Sequence, residues 1–216
     1  MESTAHSFKL TVKRIYEQIH YTLALIDSFR SGEEVTVQDV HDFGELDLDD
    51  QNIDIINVGR KFKIDLSDMD YLSWQRDLSA DLEVLELLIL MIEDITPEYD
   101  YKLNELLRVI EKKVTNPINP DNKKIIIFTA FADTAEYLYE HVSPFVKNKF
   151  GLDCALITGS IEGRTTIPKF PADMNTILTC FSPISKEKDL VMPNNNSNID
   201  ILIATDCISE GQNLQD

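Results

Sequence analysis

Residues 123–142 read KKIIIFTAFADTAEYLYEHV, and the grammar of this stretch decides the fold. Ile125, Ile126, Ile127 and Phe128 form a continuous apolar run rich in β-branched residues, the mark of a parallel strand covered on both faces. Thr129 ends the run. Asp133 then stands where it can cap a helix expected from Thr134 to about Lys147, with Glu136 three residues on in the capping-box position. Downstream the same alternation repeats: CALIT at 154–158 predicts a second strand, followed by a loop with Gly159 and Gly163. ADMNTILTCF at 172–181 predicts a helix, MPNNNSN at 192–198 a spacer, and IDILIAT at 199–205 a third strand. Strand, helix, strand, helix, strand over 124–205 predicts a right-handed parallel α/β sheet flanked by helices.

Upstream of NPINPDN at 116–122, whose prolines and asparagines mark a linker, the pattern is helical. Phe8, Val12, Ile15, Ile19, Leu23 and Ile26 recur every three or four positions and predict an amphipathic helix over 7–29, broken at Gly32. Seven acids with no Lys or Arg follow between Asp39 and Asp54, a self-repelling run expected to be a solvated insert within about 31–76. Leu78, Leu82, Leu85, Leu88, Ile89, Ile92 and Ile95 predict a helix beginning near Asp77, with an apolar face wide enough for burial on more than one side. Tyr71 and Trp74 are expected to anchor it. Thr96 and Pro97 are placed to cap and open the next helix, whose inner stripe is Leu103, Leu106, Leu107, Ile110 and Val114. These two helices are expected to pair as an antiparallel hairpin. The expected division is therefore a helical region at 1–118 and a sheet domain at 119–216.

The charge argues against a strong free-standing grip on nucleic acid. Of the net −18, the first 122 residues hold 12 Lys and Arg against 26 Asp and Glu, and the remainder 8 against 12. Neither part is basic, and phosphate contacts from Lys and Arg dominate such affinity. The most apolar run, LELLILMI at 85–92, is interrupted by Glu86 and closed by Glu93, short of a membrane span. No secretory signal opens the chain, so a cytoplasmic location is the expectation. Cys154, Cys180 and Cys207 fit neither a disulfide framework nor a paired zinc site, and are expected to be buried thiols.

In open parallel sheets ligands bind at the carboxyl ends of strands. Three such ends are present: FTAFADT at 128–134, ITGSIEG at 157–163 and ATDCISEGQN at 204–213. Their hydroxyls and glycines suit phosphate or sugar, although capping residues at any strand end look similar. ELDLDDQNID at 45–54 alternates acids as a calcium loop does, yet lacks the sixth-position glycine and the closing glutamate. GSIEG is no GxSxG elbow, and His6, His20, His41 and His141 are dispersed, which sets a serine hydrolase aside.

Taken in order, the three strand ends resemble superfamily 2 helicases. KKIIIFTAFADTAEYLYEHV is similar to motif IV, ALITGS to the nucleic-acid-facing loop that follows it, and ILIATDCISEGQNLQD to motif V, in a form like that of the bacterial Swi/Snf-like branch. More loosely, ESTAHSFKLTVKRI, DLSADLEVLELL and YDYKLNELLRVIEKK resemble the helical region joining the two motor lobes of that branch. The resemblance implies a partial second RecA-like lobe in which Thr205 and Asp206 link backbone contact to the ATP cleft. Gly211 and Asn213 would lie beside the nucleotide sugar. Thr129, Thr158, Gly159 and Ser160 would face the nucleic-acid backbone, whose contacts are blind to sequence. Its cofactor would be ATP with magnesium, and its partners DNA or RNA and a first helicase lobe.

The departures set limits on that expectation. No GxxxxGK[ST] phosphate loop occurs, and the arginines of motif VI would follow Asp216. The expectation is a fragment that does not hydrolyse ATP alone, binds nucleic acid weakly and self-associates through an exposed sheet edge. The competing expectation is a non-enzymatic acidic helical adaptor joined to a phosphate- or nucleotide-binding half-sheet and acting through protein contacts.

Overall fold

A computed structural model describes residues 4–31, 66–208, 213 and 214. The acidic run at 39–54, with its calcium-loop-like stretch, and the expected site residue Gly211 lie outside the described residues. The chain divides into two compact units, one over Ala5–Thr96 and one built on Pro97–Asp216. Among the described residues no helix is long and apolar enough to cross a membrane.

The first unit contains α1 (Ala5–Arg30) and α2 (Tyr71–Glu93). Helix α2 starts well before the expected Asp77, because the Asp70 carboxylate accepts the Ser73 N–H at 3.2 Å and caps the first turn. The two helices are antiparallel. Tyr71 packs edge-on to Phe29 with ring centroids 5.4 Å apart, Gln75 donates to Asp27 at 2.8 Å, Tyr16 donates to Glu86 at 3.2 Å, and Lys13 pairs with Glu93 at 3.7 Å. Within this unit the antiparallel partner of α2 is thus α1. Of the two expected anchors Tyr71 makes that aromatic contact, while Trp74 is 37% exposed.

The second unit begins with a 3-10 turn, Pro97–Tyr99, and then α3 (Tyr101–Thr115). Its cap is Asp100 rather than Thr96: the carboxylate accepts the Lys102 and Leu103 N–H groups, each at 3.0 Å. Leu103, Ile110 and Val114 enter the same core as the sheet residues Ile127, Leu156 and Ile203. Helix α3 is therefore part of the compact unit that starts at Pro97.

The sheet is built from β1 (Ile125–Phe128), β2 (Cys154–Ile157), β3 (Arg164–Thr165) and β4 (Ile201–Ala204), in the order β1-β4-β2-β3. The first, second and fourth strands are parallel, as expected; β3 runs antiparallel to β2 at the edge and had no counterpart in the sequence reading. Helix α4 (Ala132–Phe150) links β1 to β2, and α5 (Met174–Phe181) with the short α6 (Lys188–Val191) links the β2–β3 hairpin back to β4. These two connections travel in opposite directions across the sheet. Crossovers of one hand must then lie on opposite faces, and the two cores are arranged in that way. Leu138, Val142 and Val146 of α4 meet Ile127, Leu156 and Ile203, whereas Ile177, Leu178 and Phe181 of α5 meet Ala155, Leu202 and Ala204. Alternate residues of each strand serve alternate faces. All four residues of β2 and of β4 are buried, while Phe128 of the edge strand β1 is exposed.

Helix α4 begins two residues earlier than Asp133 would place it. Phe131 is its N-cap, with no side-chain capping bond, and Asp133 lies inside the first turn, where negative charge favours the helix dipole. Glu136 pairs with Arg164 at 3.2 Å instead of reaching back. The helix ends at Gly151, whose φ of 70° is the left-handed conformation that glycine adopts without strain. Helix α5 matches its expected span and is capped by Asp173, which accepts the Thr176 N–H at 3.0 Å.

Candidate functional site

The three strand ends converge because the register is even. Phe128, Ala204 and Ile157 are aligned across β1, β4 and β2, so the next residues, Thr129, Thr205 and Thr158, stand in one row at the carboxyl edge. The ladder continues into that row: Thr129 N–H donates to Ala204 O at 3.0 Å and Thr205 N–H to Ile157 O at 3.2 Å. All three threonines are buried.

Two of their hydroxyls are engaged in the turns they open. Thr158 Oγ1 accepts the Ile161 N–H at 3.0 Å, closing a side-chain turn that leaves Gly159 and Ser160 facing solvent. Thr205 Oγ1 donates to Cys207 Sγ at 3.5 Å within the 3-10 turn Asp206–Ile208, and Asp206 and Cys207 are exposed. Among the described residues the exposed surface at this edge includes Gly159, Ser160, Asp206 and Cys207 over a buried threonine row. Asn213 is exposed beside Leu214, which packs against the α5 core.

Next to the row lies a cleft of about 310 Å³ with Ile157, Ile161 and Met174 as apolar walls and Thr158, Glu162 and Asp173 as polar groups. Gly163 lets its two sides meet: a Cβ there would fall 2.1 Å from Ala172 O. Hydrogen bonds from Thr176 hold the Asp173 carboxyl below its usual range, so it is ionised at neutral pH. With two carboxylates and no basic side chain in its lining, the cleft is unfavourable for phosphate. Among the described residues no cluster of His, Cys, Asp and Glu could hold a metal ion.

The three strand ends are legible in the sequence, but the approach of Glu162 and Asp173 to Thr158 is not, since the loop that joins them carries no periodic signal. The cysteines also differ from one another in the fold. Cys154 and Cys180 are buried, and burial pushes both thiols up; Cys207, expected to be buried, is exposed. A native-state alkylation experiment at neutral pH should modify Cys207 alone, with Cys154 and Cys180 reacting only after denaturant is added. Peptide mass spectrometry distinguishes the three sites, and early modification of Cys154 would contradict the packing of β2.

No known protein family, curated protein or solved structure matches the chain.

Proposed function

We propose that the chain is part of an ATP-dependent nucleic-acid translocase or helicase of superfamily 2, carrying the motif IV and motif V segments of a second motor lobe. The observation that carries this reading is the row of Thr129, Thr205 and Thr158, which joins three separately recognisable segments along one edge of a doubly wound sheet. Gly159 and Ser160 would meet the nucleic-acid backbone, with Thr129, Thr158 and Thr205 supporting the turns and backbone donors beneath them. Asp206, Gly211 and Asn213 would face ATP and its magnesium. The triphosphate grip itself belongs to a phosphate loop that this sequence lacks, so this chain alone should show no ATP turnover.

The test is a titration of isotope-labelled chain with a short DNA duplex at low salt, followed by NMR. Amide shifts should concentrate at Gly159, Ser160, Thr205 and Asp206, with a dissociation constant on the order of 10⁻⁴ M that weakens further as salt rises. Shifts confined to other surfaces, or none at millimolar DNA, would defeat the reading.

A second reading has its own support in the carboxylate-lined cleft beside Thr158. In it the sheet is a binding module that works through protein contacts, and the acidic helical region is an adaptor. Absence of any DNA response, with the α/β unit folded, favours this alternative.

A further inference from the structure

Helix α2 is apolar on two opposite faces, and the described residues of its own unit cover one of them. Leu78, Leu82, Leu85, Ile89 and Ile92 share the face packed toward α1 and are half-buried or buried. On the other side Val84, Leu87 and Met91, at i, i+3 and i+7, form a stripe. With the adjacent Leu90 they are exposed by 60%, 60%, 64% and 63%. The width of the apolar surface had implied burial on more than one side, and within this unit the second side faces solvent. Four large apolar side chains at this exposure in one stretch mark an interaction surface.

The charges around the stripe select its partner. No Lys or Arg follows Arg76 within α2, and Glu86 and Glu93 are taken up by Tyr16 and Lys13 of α1. Glu83, four residues before Leu87, and Asp94, three after Met91, lie on the exposed side and form no ion pair among the described residues. A second copy of the chain is a poor occupant, because face-to-face packing would set these carboxylates against like charges in a molecule of net −18. A ridge at three-to-four spacing fits the grooves of another helix, and Met91 adapts its shape to irregular neighbours.

We propose that the Val84–Met91 face of α2 docks an amphipathic helix of a partner protein, with apolar residues on Leu87, Leu90 and Met91 and flanking Lys or Arg reaching Glu83 and Asp94. This surface is independent of the motor reading. The probe is a synthetic helical peptide of about 18 residues, five turns, with a leucine stripe flanked by lysines. Binding is read from the fluorescence anisotropy of a dye carried on the peptide.

The Leu87→Asp/Met91→Asp variant should lose at least about tenfold in affinity while its far-UV circular dichroism is unchanged. General attraction between a cationic peptide and an acidic protein predicts the reverse, since the two added carboxylates would strengthen it. Glu83→Lys should also weaken the complex, and a peptide with glutamates in place of the lysines should not bind. Equal binding of the double variant, equal binding of the glutamate peptide, or no binding by the unaltered chain would each overturn the proposal. So would a dimer in light scattering that the double variant abolishes, because the occupant would then be a second copy.

Discussion

Gly163→Ala should destabilise the α/β unit by about 3 kcal/mol, the upper range for forcing an extra methyl into a closed contact. The added Cβ would stand 2.1 Å from Ala172 O and 3.1 Å from Ile177 Cδ1. A flexible side chain can yield, but the first of these atoms is backbone. Ala172 is followed by Asp173, whose carboxylate caps α5, and Gly163 is followed by β3, where Leu156 and Ala155 pair with Arg164 and Thr165. Relief therefore requires either parting β3 from β2 or displacing the start of α5. Both move the wall of the cleft beside Thr158. Gly151→Ala is the matched control, because its φ of 70° costs a side chain about 1 kcal/mol but no atom stands within 4 Å. Denaturant unfolding of the two variants should rank Gly163→Ala clearly below Gly151→Ala. Equal stabilities would show that the loop and α5 do not meet as described.

The contrast between these two glycines shows which parts of the fold are legible in the chain itself. Local signals carried the strands: the apolar runs at Ile125–Phe128, Cys154–Ile157 and Ile201–Ala204 could be placed because both faces of each strand need cover. Their order could not, since inserting β4 between β1 and β2 depends on pairing across the whole domain. Helix starts failed where two residues compete as caps. Thr96 and Asp100 both suit the role by type, and Asp100 prevails through a long-range bond to Tyr137 that no local pattern contains. The two residues of β3 are too few for an alternation to appear. For the candidate site, the positions of Thr129, Thr158 and Thr205 followed from the strand ends. What their hydroxyls do did not, because Ile161 and Cys207 engage two of them through the detailed shape of the turns.

Removing the Asp100 carboxylate is expected to cost about 3 kcal/mol, since it deletes both a helix cap and the buried bond accepted from the Tyr137 phenol. Asp100 and Tyr137 are each 6% exposed, and the Tyr137 hydroxyl donates to Asp100 Oδ2 at 3.0 Å while Oδ1 caps α3. Asp100→Ala loses all of these bonds. Tyr137→Phe removes the bond to Asp100 but keeps the cap, so its cost should be nearer 1 kcal/mol. The bond between the two residues is already lost in either single variant, so the combined loss in the double variant should fall short of the sum by about 1 kcal/mol. Alkaline pH provides a second readout. Burial first, and then the bond to Asp100, raise the Tyr137 phenol above its ordinary value, and burial pushes Tyr139 up to about 12. A raised folded-state pKa contributes stability that is complete below the unfolded value of about 10 and is lost as pH rises through the folded value. Unfolding free energy should therefore decline above pH 10 in the unaltered chain, and less steeply in Tyr137→Phe, where one of the two phenols is gone. Strict additivity in the cycle, together with an unchanged alkaline slope, would mean that Asp100 and Tyr137 do not share this bond.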